Sequence, residues 1–335
     1  MAENTKISWC DSTINFWEGC TKVSPGCQFC YAEARDKRFT GGKLWGKGAP
    51  RRKSNRAAND ALAMNRKPWI CDECGEAQSD VDYSLCRSCH TTGSFHRRRI
   101  FSLSLGDWLD DEVPIEWLAE MLDTIRKCDQ VTWMLCSKRW ENFNERLTAV
   151  LHWSEAKLRR DLNPLWNFVF LWGKKIKIPP NIIGLCSVEN QNEADKRIPH
   201  FLTVPLACRG LSMEPLLGPV DLEPSVALWK PRAYVLSPRY YINWLIIGGE
   251  SGPSARPCNV DWIRSIVQQG QAAGVATFVK QLGAKPVETL VTYQNGMPLT
   301  GSGKTPFEGQ ITDKKGGDPS EWPTDLRIQQ WPKGF

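Results

Sequence analysis

The chain of 335 residues has 41% hydrophobic and 24% charged residues, a composition that excludes a disordered or fibrous protein and allows a large buried core. No run approaches the roughly 18 apolar residues of a membrane span, and the N-terminal stretch lacks a signal sequence, so we expect a cytoplasmic protein without membrane segments. An excess of 43 Lys and Arg over 37 Asp and Glu is too small to identify a polyanionic partner.

Strand and helix patterns alternate along the chain. A helix is expected from Tyr31, and an apolar stripe predicts another over residues 114–126. Such alternation favours βαβ units, a parallel sheet and right-handed crossovers. The pattern therefore predicts an α/β fold, a partial TIM barrel of the (βα)6 type. Its candidate strands are residues 7–9, 100–105, 131–137, 182–188, 206–213, 244–247 and 277–279.

The first cysteine group, Cys20, Cys27 and Cys30, lies in the loop before the first predicted helix. In a reducing compartment, clustered cysteines indicate metal ligation rather than disulfides. Structural zinc normally takes four protein ligands, whereas a cubane iron–sulfur cluster with three cysteines leaves one iron open to a small molecule. The group is a candidate [4Fe-4S] site. The alternative is structural zinc with Cys10 as the fourth ligand, unless Cys10 is simply a buried thiol.

The second cysteine group has the spacing Cys71-x2-Cys74-x11-Cys86-x2-Cys89. Two adjacent CxxC pairs bring four thiolates to one metal, which predicts a zinc ribbon holding Zn2+. A second iron–sulfur cluster is the competing interpretation. Because this group interrupts the βα pattern, we interpret it as an insertion. The predicted parts are a partial barrel of residues 1–66 and 97–286, an inserted ribbon of residues 67–96, and a C-terminal segment of residues 287–335 that packs on the barrel.

A basic stretch follows the first helix. Residues 35–56 contain nine Lys and Arg against one acid, Asp36. Together with its glycines, this stretch could follow a phosphate backbone, so nucleic acid is a candidate partner; a solvated loop is the other interpretation. The ribbon could likewise grip nucleic acid or a protein, or only stabilise a long connection.

Polar residues follow nearly every predicted strand. In α/β barrels the chemistry lies at the C-terminal strand ends, so these side chains are expected to converge on one mouth. Glu214, Glu250 and Lys280 are the candidate catalytic residues, although Glu214 and Lys280 could instead form an interior ion pair. The other strand-end residues are Asp107, Lys138, Arg139, Ser187, Glu189 and Asn190.

The first cysteine loop and the βα series after it resemble the radical S-adenosylmethionine (SAM) superfamily. Most of that superfamily has the spacing C-x3-C-x2-C, whereas the first gap here is six residues. More closely, ISWCDSTINFWEGCTKVSPGCQFCYAE, LSMEPLLGP and WLIIGGESGPSARP resemble an uncharacterised family of phage and prophage radical SAM-like proteins with a C-x6-C-x2-C motif.

The resemblance implies a set of cofactors and roles. The first cysteine group would hold a [4Fe-4S] cluster whose open iron binds SAM, and a reductant such as flavodoxin or ferredoxin would supply one electron to release a 5′-deoxyadenosyl radical. Phe29 and Tyr31 would flank the cluster, Asp107 would contact the amine of SAM, and Lys138 or Arg139 would meet a carboxylate. The predicted ribose contacts are Ser187, Glu189 and Asn190.

These features together predict a radical SAM enzyme that modifies a nucleobase in phage DNA, for example by isomerising an amino-acid-decorated thymine. A phage origin would place it in the cytoplasm of the host cell. A base in duplex DNA would have to be flipped out to be reached. The alternatives are DNA lesion repair, RNA or peptide modification by the same chemistry, and a non-catalytic, metal-stapled nucleic-acid-binding protein.

Overall fold

The computed structural model describes residues 5–81, 85–222, 241–294, 297–307 and 311–335. Its strands are β1 (Ser12–Ile14), β2 (Trp17–Glu18), β3 (Arg52–Lys53), β4 (Trp69–Cys71), β5 (Ala77–Gln78), β6 (Phe95–Arg97), β7 (Arg99–Ser102), β8 (Thr132–Ser137), β9 (Ile182–Ser187), β10 (Cys208–Met213), β11 (Trp244–Gly248), β12 (Cys258–Asn259), β13 (Ala276–Gln281), β14 (Pro286–Gln294) and β15 (Met297–Pro306). Its helices are α1 (Tyr31–Thr40), α2 (Ala57–Asn65), α3 (Ile115–Lys127), α4 (Phe143–Glu155), α5 (Pro164–Gly173), α6 (Gln191–Thr203) and α7 (Val260–Ala273).

Seven of the described strands form one parallel sheet in the order β1-β7-β8-β9-β10-β11-β13. Spatial order follows chain order, and helices connect most neighbouring strands, as in a series of βαβ units. The sheet curls into a half-barrel. The predicted α/β fold with a partial, TIM-barrel-like sheet is therefore confirmed at this level. We call the C-terminal strand ends the mouth and the N-terminal ends the floor.

The position of the first strand corrects the prediction. Residues 7–9 form a turn, in which the Cys10 N–H donates to the Ile7 carbonyl at 3.3 Å, and the strand begins only at Ser12. Trp9 is buried against Phe101, with ring centroids 4.8 Å apart, and against Trp244 at 6.3 Å. The apolar residues in this stretch are thus buried because they close the floor of the half-barrel, not because they belong to the sheet.

Two apolar layers hold the fold together. The outer layer lies between the sheet and its helices, where α3 buries Leu118, Leu122 and Ile125 along one face. The inner layer fills the half-barrel with alternate residues of the strands, such as Met134 and Phe278. Successive strand residues point to opposite faces, so the residues that continue this inner set toward the mouth also point inward.

The C-terminal segment closes one edge of the sheet. The Val279 N–H donates to the Ile328 carbonyl at 2.8 Å, and the Gln330 N–H donates to the Thr277 carbonyl at 2.9 Å. Trp331 then crosses the floor and receives the Arg99 guanidinium over its ring at 4.6 Å. Of the predicted segment 287–335, residues 295–296 and 308–310 lie outside the described residues.

A small antiparallel sheet, in the order β5-β4-β6, carries the second cysteine group. It is joined to the floor, because the Arg98 N–H, just before β7, donates to the Pro68 carbonyl at 2.7 Å. His96 Nδ1 lies 2.5 Å from Asp72 in this sheet, and His96 Nε2 lies 3.1 Å from Asp11, just before β1. The second cysteine group therefore lies at the floor of the half-barrel.

Candidate functional site

Four cysteines at the floor form a group that can hold a metal ion. The sulfurs of Cys71 and Cys89 lie 3.9 Å apart, and those of Cys74 and Cys86 lie 3.6 Å apart. Thiolates around one tetrahedral ion, with metal–sulfur bonds of about 2.3 Å, stand about 3.8 Å from each other. The second cysteine group therefore has the geometry to hold one metal ion.

Two similar turns build this group. The Gly75 N–H donates to the Cys71 carbonyl at 2.9 Å, and the His90 N–H donates to the Cys86 carbonyl at 3.0 Å. Gly75 and His90 both have positive φ, +72° and +57°, a conformation that glycine adopts without strain. Hydrogen bonding by the Thr91 hydroxyl lowers the pKa of the Cys89 thiol to about 6. The Glu76 backbone acts in the same direction on Cys74, but hydrogen bonding with the other three cysteines raises the pKa of its thiol to about 12.

The first cysteine group lies at the mouth, in a loop between β2 and α1. The Gly19 N–H donates to the Leu105 carbonyl at 3.0 Å, and the Gly46 N–H donates to the Cys20 carbonyl at 2.9 Å. In the described part of the chain, the only set of three or more possible ligands gathered within 4.8 Å is the one at the floor, and the three mouth sulfurs are not gathered in this way.

Cys10 does not complete this loop. It precedes β1, whereas the loop follows β2, and it packs with Trp9 and Phe101 at the floor end of the inner layer. Its sulfur lies 3.9 Å from the Ile7 carbonyl oxygen. The interpretation of Cys10 as a buried thiol fits these surroundings, and the interpretation as a fourth ligand does not.

Three acid–arginine pairs hold the loop at the mouth, and the first is Asp107–Arg139. Arg139 Nη1 donates to Asp107 Oδ2 at 2.9 Å, and both side chains are buried. Nη1 and Nη2 of Arg139 each lie 3.6 Å from Cys20 Sγ, and Nη2 donates to the Thr21 carbonyl at 2.7 Å. Burial raises the pKa of the Cys20 thiol to about 12, and Arg139 acts in the opposite direction.

Asp107 is fully engaged within the protein. Besides Arg139, it accepts hydrogen bonds from the Ser137 hydroxyl at 2.7 Å and from the backbone N–H groups of Leu109 and Lys138 at 3.0 Å. All four of its lone pairs accept hydrogen bonds within the protein. The carboxylate therefore holds Arg139 and the end of β8 in place. This role differs from the predicted contact with the amine of SAM.

The second pair is Glu189–Arg197, with 2.7 Å between Oε2 and Nη1. Glu189 is 1% exposed, and its Oε1 accepts from the Gly26 N–H of the cysteine loop at 3.0 Å. Burial opposes its charge, but Lys138 and Arg197 outweigh burial and lower the pKa of the Glu189 carboxyl. A Cβ at Gly26 would lie 2.9 Å from this carboxylate, so only glycine fits there.

Asn190 follows Glu189 and caps helix α6, where its side chain accepts from the Glu193 N–H at 3.0 Å. Glu189 and Asn190, both predicted to contact a ribose, thus bind the cysteine loop and a helix end instead. Ser187 remains on the inner face, with its hydroxyl oxygen 3.4 Å from Cys136 Sγ.

The third pair is Glu250–Arg256. The guanidinium donates to both Glu250 oxygens, at 2.7 Å and 2.9 Å, and its Nη1 donates to the Pro25 carbonyl at 2.9 Å. It also lies over the Phe29 ring at 5.3 Å. Glu250, a predicted catalytic residue, therefore acts on the cysteine loop through Arg256.

Arg197 and Arg256 are functional residues that the sequence pattern did not predict. A signal was present, because each arginine follows its acid by a short interval, eight residues for Glu189 and six for Glu250. An acid at a strand end with an arginine so close along the chain is a candidate for a local buried pair.

Other inward-facing groups at the mouth remain available to ligands. Glu214 and Lys280 form an ion pair, with 2.7 Å between Oε1 and Nζ, as the alternative interpretation expected. Lys138 has no carboxylate within ion-pair distance among the described residues; burial opposes its charge, but Glu189 and the Cys27 thiol raise its pKa. The Tyr31 side chain is 58% exposed, and its hydroxyl donates to the Ser104 carbonyl.

Most of the basic stretch is neutralised by neighbouring acids. Arg51 is buried, and its Nε donates to Asp110 at 2.9 Å, which folds the stretch back onto the cysteine loop. Among the described residues, Arg38, Lys43 and Lys47 have no acidic partner within ion-pair distance. The basic residues with acidic partners are Arg35, Lys37, Arg51, Arg52, Lys53 and Arg56.

The fold and the site define a class: an α/β half-barrel protein with a three-cysteine loop at its mouth and, at its floor, four cysteines that can hold a metal ion. The chain belongs to the family described as Protein of unknown function (DUF5131), which matches residues 4–313. No curated protein and no solved structure matches it. Within the described ranges, no helix has the length and apolar character needed to cross a membrane.

Proposed function

We propose that this protein is a radical SAM enzyme whose cysteine loop, with Cys20, Cys27 and Cys30, holds a [4Fe-4S] cluster. The observation that carries the proposal is the position of the loop, above the C-terminal ends of a parallel half-barrel, where barrel enzymes place their chemistry. When bound, the cluster and SAM supply a 5′-deoxyadenosyl radical for hydrogen abstraction.

The residues around the loop fit this cofactor. Three thiolates bring negative charge to the mouth, and the buried guanidinium of Arg139 faces one of them at 3.6 Å. Soft thiolate ligands suit iron–sulfur clusters, and a loop with three of them leaves one iron for SAM. Glu189 and Arg256 fix the backbone of the loop from two further directions through Gly26 and Pro25.

Lys138 is the residue we assign to a carboxylate, either that of SAM or one on the substrate. It points inward from the end of β8 and has no carboxylate within ion-pair distance among the described residues, whereas Lys280 is already paired with Glu214. The unpaired ammonium of Lys138 can donate a charge-assisted hydrogen bond to a carboxylate directly. The ammonium of Lys280 would first have to break its ion pair with Glu214. Glu214 and Lys280 together offer an acceptor and a donor to a polar substrate.

For the floor group we propose structural zinc. The sulfur separations of 3.6 Å and 3.9 Å are those of a single tetrahedral ion, and four thiolates leave no open position. Such an ion would stabilise a module whose sheet contains only eight residues in its three strands.

For the substrate we favour a nucleobase in phage DNA, such as an amino-acid-decorated thymine whose carboxylate Lys138 would bind. Two features near the mouth support this choice. Arg38, Lys43 and Lys47 are free of acidic partners among the described residues, so they are available to phosphates. Phe39 is 65% exposed, with the guanidinium groups of Arg35 and Arg38 at 5.4 Å and 5.2 Å, a surface on which a base could stack.

The test of the chemistry is anaerobic. The protein is reconstituted with iron and sulfide, reduced with dithionite and given SAM, and 5′-deoxyadenosine is followed by mass spectrometry. We expect product from the native protein and from Cys128→Ala, a matched control because Cys128 is buried behind the sheet. We expect none from Cys27→Ala. Absence of both an iron–sulfur cluster and product in the native protein would overturn the proposal.

The substrate is tested by label transfer. Uniformly deuterated DNA, RNA or peptide is added, and deuterium is sought in the 5′-deoxyadenosine. Transfer from DNA alone supports the favoured substrate, and transfer from RNA or peptide assigns the activity to those classes instead. Lys138→Met is expected to raise the KM for the carboxylate-bearing ligand. Lys177→Met, at an exposed lysine between α5 and β9, serves as a charge-matched control.

A further inference from the structure

Arg139 differs from the other two arginines that hold the cysteine loop. Both terminal nitrogens of its guanidinium lie 3.6 Å from Cys20 Sγ, within reach of an N–H···S hydrogen bond. Arg256 reaches the loop through the Pro25 carbonyl and the Gln28 side chain, and Arg197 acts on it through Glu189. Among the described contacts of these three arginines, only those of Arg139 place a positive charge beside a cysteine sulfur of the loop.

The surroundings of Arg139 fix its orientation. Nη1 donates to Asp107 Oδ2 at 2.9 Å, and Nη2 donates to the Thr21 carbonyl at 2.7 Å. The Asp107 carboxylate is itself held by Ser137 and by two backbone N–H groups. Because the two side chains are only 6% and 8% exposed, solvent screens their charges weakly.

Hydrogen bonds to the sulfurs, local charge and solvent exposure set the reduction potential of an iron–sulfur cluster. Reduction adds one negative charge, which a nearby guanidinium stabilises and a nearby carboxylate destabilises. Asp107 and Arg139 therefore act on the potential with opposite signs.

We propose that Arg139 is a positioning residue that donates hydrogen bonds to the Cys20 thiolate and raises the reduction potential of the cluster, with Asp107 holding the guanidinium and moderating its charge. This inference rests on the proposed function, because it concerns the cluster that the mouth loop would hold. In this proposal Asp107 and Arg139 tune how readily the cluster accepts an electron, and they do not bind SAM.

The test measures the cluster itself, without SAM. The full-length protein is reconstituted, and the reduced cluster is followed by electron paramagnetic resonance during a dithionite titration. In Arg139→Gln we expect the ratio of reduced to oxidised cluster at a fixed potential to fall about tenfold, equivalent to about 59 mV for a one-electron couple. In Asp107→Asn we expect a shift in the opposite direction. Arg256→Gln, which loses a loop contact but no contact to sulfur, is expected to keep the native potential.

Opposite shifts in the two variants would support the inference, because general loosening of the loop cannot produce both signs. Native potentials in both variants, or an equal shift in Arg256→Gln, would overturn it while leaving the radical SAM proposal intact. If Arg139→Gln binds no iron, Asp107→Asn decides alone, and an unchanged or lower potential overturns the inference. A native protein that assembles no cluster overturns the proposed function and this inference together.

Discussion

The two cysteine groups differ in how the fold brings their cysteines together. At the floor, Cys71, Cys74, Cys86 and Cys89 come within 4.8 Å of one another through two short turns closed by their own backbone hydrogen bonds. At the mouth, three cysteines sit on one loop whose position depends on strand-end side chains far along the chain. Glu189 is 163 residues from Gly26, and Arg256 is 231 residues from Pro25.

The floor group is formed by residues close together in the sequence, whereas the mouth group depends on residues far apart in the sequence. A knuckle of four residues has few conformations to lose, so a bound metal can stabilise it almost alone. The mouth loop needs a folded half-barrel before Asp107, Glu189 and Glu250 are near it. We therefore expect metal binding at the floor to depend on substitutions of its own cysteines. We expect metal binding at the mouth to depend also on substitutions of acids distant in sequence.

The largest effect is expected from Cys74→Ser. Cys74 is exposed, so the change removes a ligand without opening a cavity. Structural zinc in small modules supplies on the order of 10 kcal/mol of apparent binding free energy, so residues 69–97 should lose the proposed zinc and their protection from hydrogen exchange. Elemental analysis and hydrogen-exchange mass spectrometry measure both losses, with Ser88→Ala in the neighbouring turn as the control. If iron at the mouth fell equally, the two groups would not be independent.

A smaller effect is expected from Glu189→Gln, which leaves the buried Arg197 with Glu193 as its remaining acid. Breaking a buried pair of this kind costs about 3 kcal/mol, measured by urea unfolding. Because the pKa of Glu189 is lowered in the folded protein, its contribution is present at neutral pH and is lost as the pH falls below about 4.

The native protein should therefore lose stability more steeply in acid than Glu189→Gln does. Iron bound after reconstitution should also fall in this variant, because the Gly26 N–H loses a charged acceptor. Glu193→Gln contacts the same arginine but not the loop, so it should retain native iron content. Equal iron loss in both variants would show that Arg197, rather than Glu189, holds the loop.

The smallest effect is expected from His96→Ala, which removes the contacts to Asp11 and Asp72 between the inserted sheet and the floor. Loss of these partly buried hydrogen bonds should cost about 1–2 kcal/mol. Thermal unfolding measures the change, and the exposed His152→Ala in α4 is the control. The zinc proposed at the floor should stay bound, and its release would mean that contact with the half-barrel is needed for the four cysteines to bind it.

Much of the fold could be predicted because helical and strand periodicities are local. The stripe predicted over residues 114–126 matches α3, and strands predicted near residues 131–137 and 182–188 match β8 and β9 within one residue at either end. The first strand could not be located this way. Trp9 is buried at the floor through contacts with Phe101 and Trp244, which belong to two strands far apart in the sheet. A local pattern of apolar residues cannot distinguish such burial from a strand.

By itself, the sequence determined the α/β alternation, the spacing of both cysteine groups and the convergence of polar strand ends on one mouth. Only the tertiary structure decided what those polar residues do. Asp107, Glu189 and Glu250 look alike in sequence, each an acid after a strand, yet each is paired with a buried or half-buried arginine that holds the cysteine loop. The physical reason is that an acid's role depends on which cation and which backbone N–H lie within about 3 Å, and curling of the sheet sets those distances.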